Sequence, residues 1–282
     1  MADVDLHLHT TESDGHLTPA EIVTMAVQRG LKVIAITDHD ITDGLDPAWK
    51  AAMAYPQLAV IAGIELSTDI PGNEIHILGY YIDHQDTGFQ MVLQQFRESR
   101  VDRARKMVEK LGELGMPVEW DRVVEIAGSG SIGRPHIAQA MMEKGYVPQL
   151  KDAFDKYIGR NGPAYVERDK QTPEAAVQLI AEVGGTPVLA HPAMLQDLDG
   201  VLKSLKAAGL KGMEVYYAEY DKETIEKLAA VANKYDLLPC GGSDYHATGA
   251  PGEHLPGEMG PPMWVAQELR DISMEQAWGR RG

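Results

Sequence analysis

Metal-capable side chains stand at the ends of six separate strand-like runs, and no other feature of this 282-residue chain restricts its fold as strongly. His7 and His9 lie in the opening Asp5-Leu6-His7-Leu8-His9, where residues two apart on a strand share a face. His39 follows Val33-Ile34-Ala35-Ile36-Thr37, Glu65 follows the run Leu58 to Ile64, and His76 lies in Glu74-Ile75-His76. His191 follows the run Thr186 to Ala190, and Asp244 and His246, again two apart, follow Leu237 to Cys240 through Gly241-Gly242-Ser243. A lone His-x-His is an ordinary half-exposed strand. Ten histidines placed at random would fall largely in helices and surface loops, whereas here only His136 sits plainly in a helical pattern. Strand ends that converge on one face of a parallel sheet or barrel would bring these ligands together.

The intervening segments read as helices. Thr18-Pro19-Ala20-Glu21 supplies a capping hydroxyl, a proline at the first helical position and a glutamate at the third, and Thr172-Pro173-Glu174 repeats most of the device before Gly184-Gly185. With a further apolar run at Gly212 to Tyr217, the alternation predicts an α/β chain with a mainly parallel sheet, open or closed into a barrel. Residues 87–166 break it. Phe89, Val92, Leu93, Phe96, Met107, Val108, Leu111 and Leu114 follow helical spacing up to Gly115-Met116-Pro117, and shorter helical patterns cover Asp121 to Ala127, Arg134 to Lys144 and Leu150 to Ile158. The expected organisation is a host in two parts, 1–86 and 167–282, around an all-helical insertion at 87–166. Gly249 to Pro262 reads as a loop.

With 44% hydrophobic and 24% charged residues the chain is no disordered polymer. It holds no run of about 18 apolar residues and no signal-peptide pattern, so a soluble cytoplasmic protein without membrane partners is expected. A single cysteine, Cys240, excludes intramolecular disulfides and Cys-rich zinc modules. Any metal must use His, Asp and Glu, a donor set suited to Mn²⁺, Zn²⁺ or Fe²⁺, and there are more candidates than one ion needs, so two or three ions are implied. The net charge of −16 argues against long nucleic acid as partner. Residues 97–168 nevertheless carry 13 Lys+Arg against 11 Asp+Glu, which leaves −18 for the remainder.

The motifs Asp5-Leu6-His7-Leu8-His9-Thr10 with Asp14, Thr37-Asp38-His39, Gly63-Ile64-Glu65, Ala190-His191-Pro192 and Gly242-Ser243-Asp244-Tyr245-His246 resemble those of the PHP (polymerase and histidinol phosphatase) superfamily. The resemblance implies a distorted (β/α)7 barrel with a trinuclear centre, manganese foremost with iron or zinc as alternatives. Position by position it implies His7, His9, Glu65 and Asp244 for one ion, Glu65, His76 and His191 for a second, and Asp14, His39 and His246 for the third. No ligand position is lost, which speaks against a non-catalytic module; the Glu65 position and the closing Ser-Asp-x-His speak against a one- or two-metal amidohydrolase. Glu65, Asp244 and His191 become the catalytic candidates, with Asp244 or a histidine as acid for the leaving oxygen.

Gly133-Arg134-Pro135-His136-Ile137-Ala138 and Phe154-Asp155-Lys156-Tyr157-Ile158-Gly159-Arg160 resemble the PHP branch that removes phosphate from nucleotide 3′,5′-bisphosphates or trims short RNA from its 5′ end. The implied activity is 3′-phosphatase action on a nucleoside 3′,5′-bisphosphate, with 5′-to-3′ exoribonuclease action on short oligonucleotides as the alternative. Arg134, His136, Lys156 and Arg160 are the candidate substrate-phosphate contacts; Arg134 stands first because it opens a helix, where backbone amides also favour anions. Asp40 and Asp43 read as support behind the third ion's ligands, and Tyr216 and Tyr217 as packing.

Overall fold

Seven strands form one sheet in chain order: β1 (Val4–Leu8), β2 (Val33–Ile36), β3 (Ala59–Ile70), β4 (Asn73–Tyr80), β5 (Thr186–Leu189), β6 (Gly212–Tyr217) and β7 (Leu238–Gly242). This computed structural model describes residues 1–70, 73–128, 130–167, 172–250 and 252–279. Past the end of β7, Leu8 pairs in parallel with Tyr245, whose carbonyl accepts the His9 N–H at 3.1 Å, so the sheet curls into a nearly closed barrel.

The expected parallel pairing holds for β1–β2–β3 and for β5–β6–β7, but β4 runs antiparallel to both its neighbours. The cause is connection length: β3 ends at Ile70 and β4 starts at Asn73, leaving no room for the crossover that a parallel neighbour requires. His76 therefore does not sit at a carboxyl strand end. It reaches the site because its register places it opposite Ser67, two residues beyond Glu65 on β3.

Helices α1 (Pro19–Gln28), α2 (Leu45–Ala52), α7 (Pro173–Glu182), α8 (Leu198–Ala208) and α9 (Lys222–Lys234) connect the strands around the outside. The expected capping box of α1 is formed, with Thr18 N–H donating to Glu21 Oε2 at 2.8 Å and Glu21 N–H to Thr18 Oγ1 at 3.3 Å. Ile22, Val23, Ile180, Leu202 and Leu205 from these helices pack with Ile34, Ile36, Ile64 and Ile77 of the strands. At the other end α10 (Met263–Gly279) lays Val265 and Leu269 against Val4, Leu6, Tyr80 and Val188. Of the stretch Gly249 to Pro262 that the sequence marks as a loop, Pro251 lies outside the described residues.

Among the described residues between β4 and α7 stand only helices: α3 (Thr87–Glu113), α4 (Trp120–Ala127), α5 (Arg134–Glu143) and α6 (Leu150–Ala153), the last continuing as a wider π turn over Phe154–Ile158. They share their own apolar cluster of Met107, Leu111, Val123, Ile137, Met141 and Ile158. At 27 residues α3 is about 40 Å long and belongs to both parts, since Phe89 and Leu93 of its first turns pack into the barrel's cluster. No helix among the described residues is long and apolar enough to cross a membrane.

Candidate metal centre

Glu65 is the hub. Its Oε2 lies 3.2 Å from each of His7 Nε2, His9 Nε2 and His39 Nδ1, while Oε1 lies 2.8 Å from His76 Nδ1 and 3.2 Å from His191 Nε2. Asp244 Oδ1 faces the first two of these rings, at 3.2 Å from His7 Nε2 and 3.1 Å from His9 Nε2. Asp14 gathers the remainder, with Oδ1 3.3 Å from His246 Nε2 and 3.7 Å from His9 Nδ1, and Oδ2 3.8 Å from His39 Nε2. Three groups have ligand atoms within 4.8 Å of one another: His7/His9/Glu65/Asp244, His9/Asp14/His39/His246 and His39/Glu65/His76. The structure thus brings every sequence-derived ligand candidate to one end of the barrel. His9 and His39 each belong to two groups, where the resemblance assigned them to one, and His191 touches Glu65 without joining a group.

The donor set fits divalent ions on a direct observation. Both ring nitrogens of His9, fully buried, and Asp14 Oδ1 have no aligned hydrogen-bond partner among the described residues. An orphaned buried imidazole costs free energy unless something else occupies its lone pair, and cations held by nitrogen and oxygen ligands do so.

Backbone shape serves the same end. His191 (φ 27°), Asp244 (φ 52°) and Asp40 (φ 55°) adopt left-handed conformations that non-glycine residues rarely take, each just past a strand. Gly242 cannot carry a side chain, because a Cβ there would stand 2.5 Å from the His7 nitrogen and 2.6 Å from Asp5 Oδ1. That close approach lets the buried Asp5 accept the Ser243 and Gly257 N–H groups at 3.0 and 2.9 Å, which ties the end of β7 to β1.

The charges interlock. Burial opposes ionisation of Glu65, yet the His39, His7 and His76 rings hold its carboxyl well below the usual carboxylate range. Burial likewise opposes Asp244, which His7, His9 and His246 hold down. Burial lowers His39 to about 3, against the pull of Glu65 and Asp14. In His76 and His246 burial is outweighed by neighbouring carboxylates, Glu65 and Glu74 for the first and Asp14 and Asp244 for the second, and the rings rise to about 9 and about 10.

A pocket enclosing about 520 Å³, solvent at its mouth included, opens beside this cluster. Asp14, His39 and His76 form one wall, and Arg100, Arg103 and Arg134 line it from the helical insertion. Of the sequence-derived phosphate contacts only Arg134 lines this pocket. His136 lines a separate cleft with His16 and Gln139 and accepts the Gly133 N–H on Nδ1 at 2.9 Å, capping the start of α5. Lys156 is exposed and pairs with Asp152 at 2.6 Å, and Arg160 pairs with Asp69 at 3.1 Å.

Sequence reasoning missed Arg100 and Arg103. Arg100 is buried, with Nε 2.5 Å from Asp40 Oδ2 and Nη2 2.6 Å from Ser67 Oγ. Arg103 is buried too; its Nε donates to the Val166 carbonyl at 2.7 Å and its Nη2 has no partner among the described residues. The signal was present: both interrupt the stripe Leu93, Phe96, Met107 and Leu111 at the helical positions where apolar residues belong. Asp40 pairs with Arg100 and accepts the Ser67 N–H at 3.0 Å, and Tyr217 does more than pack, since its hydroxyl donates to Asp244 Oδ2 at 2.8 Å.

Comparison with known proteins agrees with this geometry. The PHP domain model matches residues 5–167. A 3′,5′-nucleoside bisphosphate phosphatase of Chromobacterium violaceum is 33% identical over 96% of this chain and 98% of its own. The 5′-3′ exoribonuclease Rnm of Salmonella typhimurium is 34% identical over 95% of this chain and 92% of its own. A solved structure from Bifidobacterium adolescentis superposes with a TM-score of 0.87 at 31% identity, covering 95% of this chain and 96% of that one. A barrel whose candidate ligands converge from both ends of the sequence, and a match extending over nearly its whole length, lead to one conclusion: the chain belongs to the PHP domain family.

Proposed function

We propose that the protein is a metal-dependent phosphoesterase that removes the 3′-phosphate from nucleoside 3′,5′-bisphosphates. The observation that carries this reading is the pocket walled by His39, His76 and Asp14 on one side and by Arg100, Arg103 and Arg134 on the other. Its two walls, one of candidate metal ligands and one of arginines, suit a substrate with two separated phosphates. The Chromobacterium violaceum relative bears the name of this activity.

Divalent ions held by the three ligand groups would supply a water-derived nucleophile at neutral pH and would neutralise phosphoryl charge. Mn²⁺ is the first choice for this nitrogen and oxygen set, with Fe²⁺ or Zn²⁺ next, and a cytoplasmic location goes with a nucleotide substrate. The chain's own residues do the remaining work. Glu65 presents one oxygen to His7, His9 and His39 and the other to His76 and His191, which makes it the shared carboxylate. The Arg103 Nη2 group, buried with no hydrogen-bond partner among the described residues, offers its hydrogens to a remote phosphate, and Arg134 offers a second charged donor. Asp244, held ionised by its imidazoles, is a poor acid for the leaving oxygen.

Short 5′-phosphorylated RNA is the second reading, favoured by the exoribonuclease name of the Salmonella typhimurium relative. Released phosphate from adenosine 3′,5′-bisphosphate, measured beside nucleotide release from a short 5′-phosphorylated RNA, decides between them. Higher kcat/KM on the bisphosphate is expected; nucleotide release from RNA with no free phosphate from the bisphosphate overturns the reading.

A further inference from the structure

Strand β6 supplies none of the candidate ligands, yet its polar side chains reach three of them. Glu214, fully buried at mid-strand, places Oε1 3.0 Å from His7 Nδ1, and its Oε2 accepts the backbone N–H of His191 at 2.8 Å. Tyr217, at the end of the strand, donates from its hydroxyl to Asp244 Oδ2 at 2.8 Å. His7 belongs to β1, His191 follows β5, and Asp244 follows β7. One strand thus touches ligands delivered by three others.

The chemistry of these contacts defines their effect. As a carboxylate, Glu214 offers acceptors only, so the hydrogen of its contact with His7 sits on Nδ1. The ring's lone pair then stands on Nε2, the atom that faces Glu65 Oε2 and Asp244 Oδ1 at 3.2 Å each. Its second oxygen holds the peptide N–H of His191, whose backbone at φ 27° and ψ 57° needs such restraint. Tyr217 engages Oδ2 of Asp244 and so leaves Oδ1 turned toward His7 and His9.

We infer that Glu214 and Tyr217 are positioning residues, which set the His7 tautomer, the His191 turn and the coordinating face of Asp244, and thereby the metal affinity of the His7/His9/Glu65/Asp244 group. The inference rests on the metal-centre reading above. Outer partners of this kind change metal affinity about 10- to 100-fold when removed.

Glu214→Gln is the test, because it keeps size and shape while replacing one acceptor oxygen by an NH₂ donor. The amide can then serve either the His7 Nδ1–H or the His191 N–H, and it opposes the other. Zn²⁺ dissociation constants of the full chain, by competition with a chromophoric chelator, are expected to weaken about 10- to 100-fold in Glu214→Gln and about tenfold in Tyr217→Phe. Histidine ¹⁵N spectra of the Zn²⁺-loaded proteins should show an Nδ1-protonated His7 in wild type and loss of that single state in Glu214→Gln. Wild-type affinity and an unchanged His7 signal in a folded Glu214→Gln protein overturn the inference while leaving the metal centre standing. A wild type that takes up no Zn²⁺ overturns both. If Glu214→Gln does not fold, Tyr217→Phe decides, since it removes one oxygen and keeps the ring: unchanged affinity there overturns the inference.

Discussion

Arg134 Nη2 lies 2.5 Å from Glu74 Oε2, so the first residue of α5 is docked on β4 two positions before His76. The same guanidinium stands over the Phe154 ring at 5.6 Å. Helix α5 is therefore fastened to a strand that carries a candidate ligand, and a substrate phosphate reaching Arg134 would share it with a carboxylate.

The first expectation concerns that arginine. Replacing Arg134 by Ala removes a charge-assisted contact worth about 1.5–3 kcal/mol, or roughly ten- to a hundredfold in kcat/KM. Steady-state kinetics should show the loss on nucleoside 3′,5′-bisphosphates and little change on p-nitrophenyl phosphate, which has no second phosphate. Equal losses would place Arg134 at the reacting phosphoryl group instead.

Metal uptake should release protons. His76 at about 9 and His246 at about 10 both carry a proton at pH 7 in the metal-free protein, and both must lose it to ligate. Apparent metal affinity therefore rises from pH 6 toward pH 9. The raised values also stabilise the metal-free fold most below the ordinary histidine value of about 6.5, and that contribution is lost as pH rises through 9 to 10. Calorimetric titration at pH 7 in two buffers of different ionisation enthalpy measures the proton count; identical heats in both would contradict these assignments.

Gly242→Ala should destabilise the fold at the seam between β7 and β1. The added methyl meets the His7 backbone nitrogen and Asp5 rather than a flexible chain end, and such overpacking costs about 1–3 kcal/mol. Urea unfolding should show a lower midpoint together with weaker metal retention. A midpoint equal to wild type would mean that this seam has room to spare.

Much of this candidate site could be read from the residues because its candidate ligands sit where strands end, and the alternation of apolar runs with capped helices marks those ends. His7, His9, His39, Glu65, His191, Asp244 and His246 were visible for that reason. His76 is reached differently, through the antiparallel register of β4 against β3, and only the short connection between Ile70 and Asn73 foretells the inversion. Arg100, Arg103 and Glu214 escaped notice because burial of a charged side chain depends on partners remote in sequence, Asp40 and Ser67 for the first and His7 for the last. Lys156 shows the converse: a cation beside a family-like motif that the fold turns outward to Asp152.

Substrate length should follow charge. Outside residues 97–168 the chain carries −18, so nucleic acid extending past the pocket meets net repulsion. A nucleoside 3′,5′-bisphosphate should be turned over with higher kcat/KM than a ten-residue RNA at the same ionic strength. Faster degradation of the ten-residue RNA, with 5′-mononucleotides as products, would replace the phosphatase reading with the exonuclease one.

The most direct test of a metal-dependent phosphoesterase is phosphate release from adenosine 3′,5′-bisphosphate by protein stripped of metal, verified by elemental analysis, before and after Mn²⁺ is restored. Activity should be absent in the stripped protein and return with Mn²⁺, and Glu65→Gln, which removes the charge shared between the ligand groups, should stay inactive in both states while folding normally. Full phosphate release by the stripped wild type would contradict the assignment.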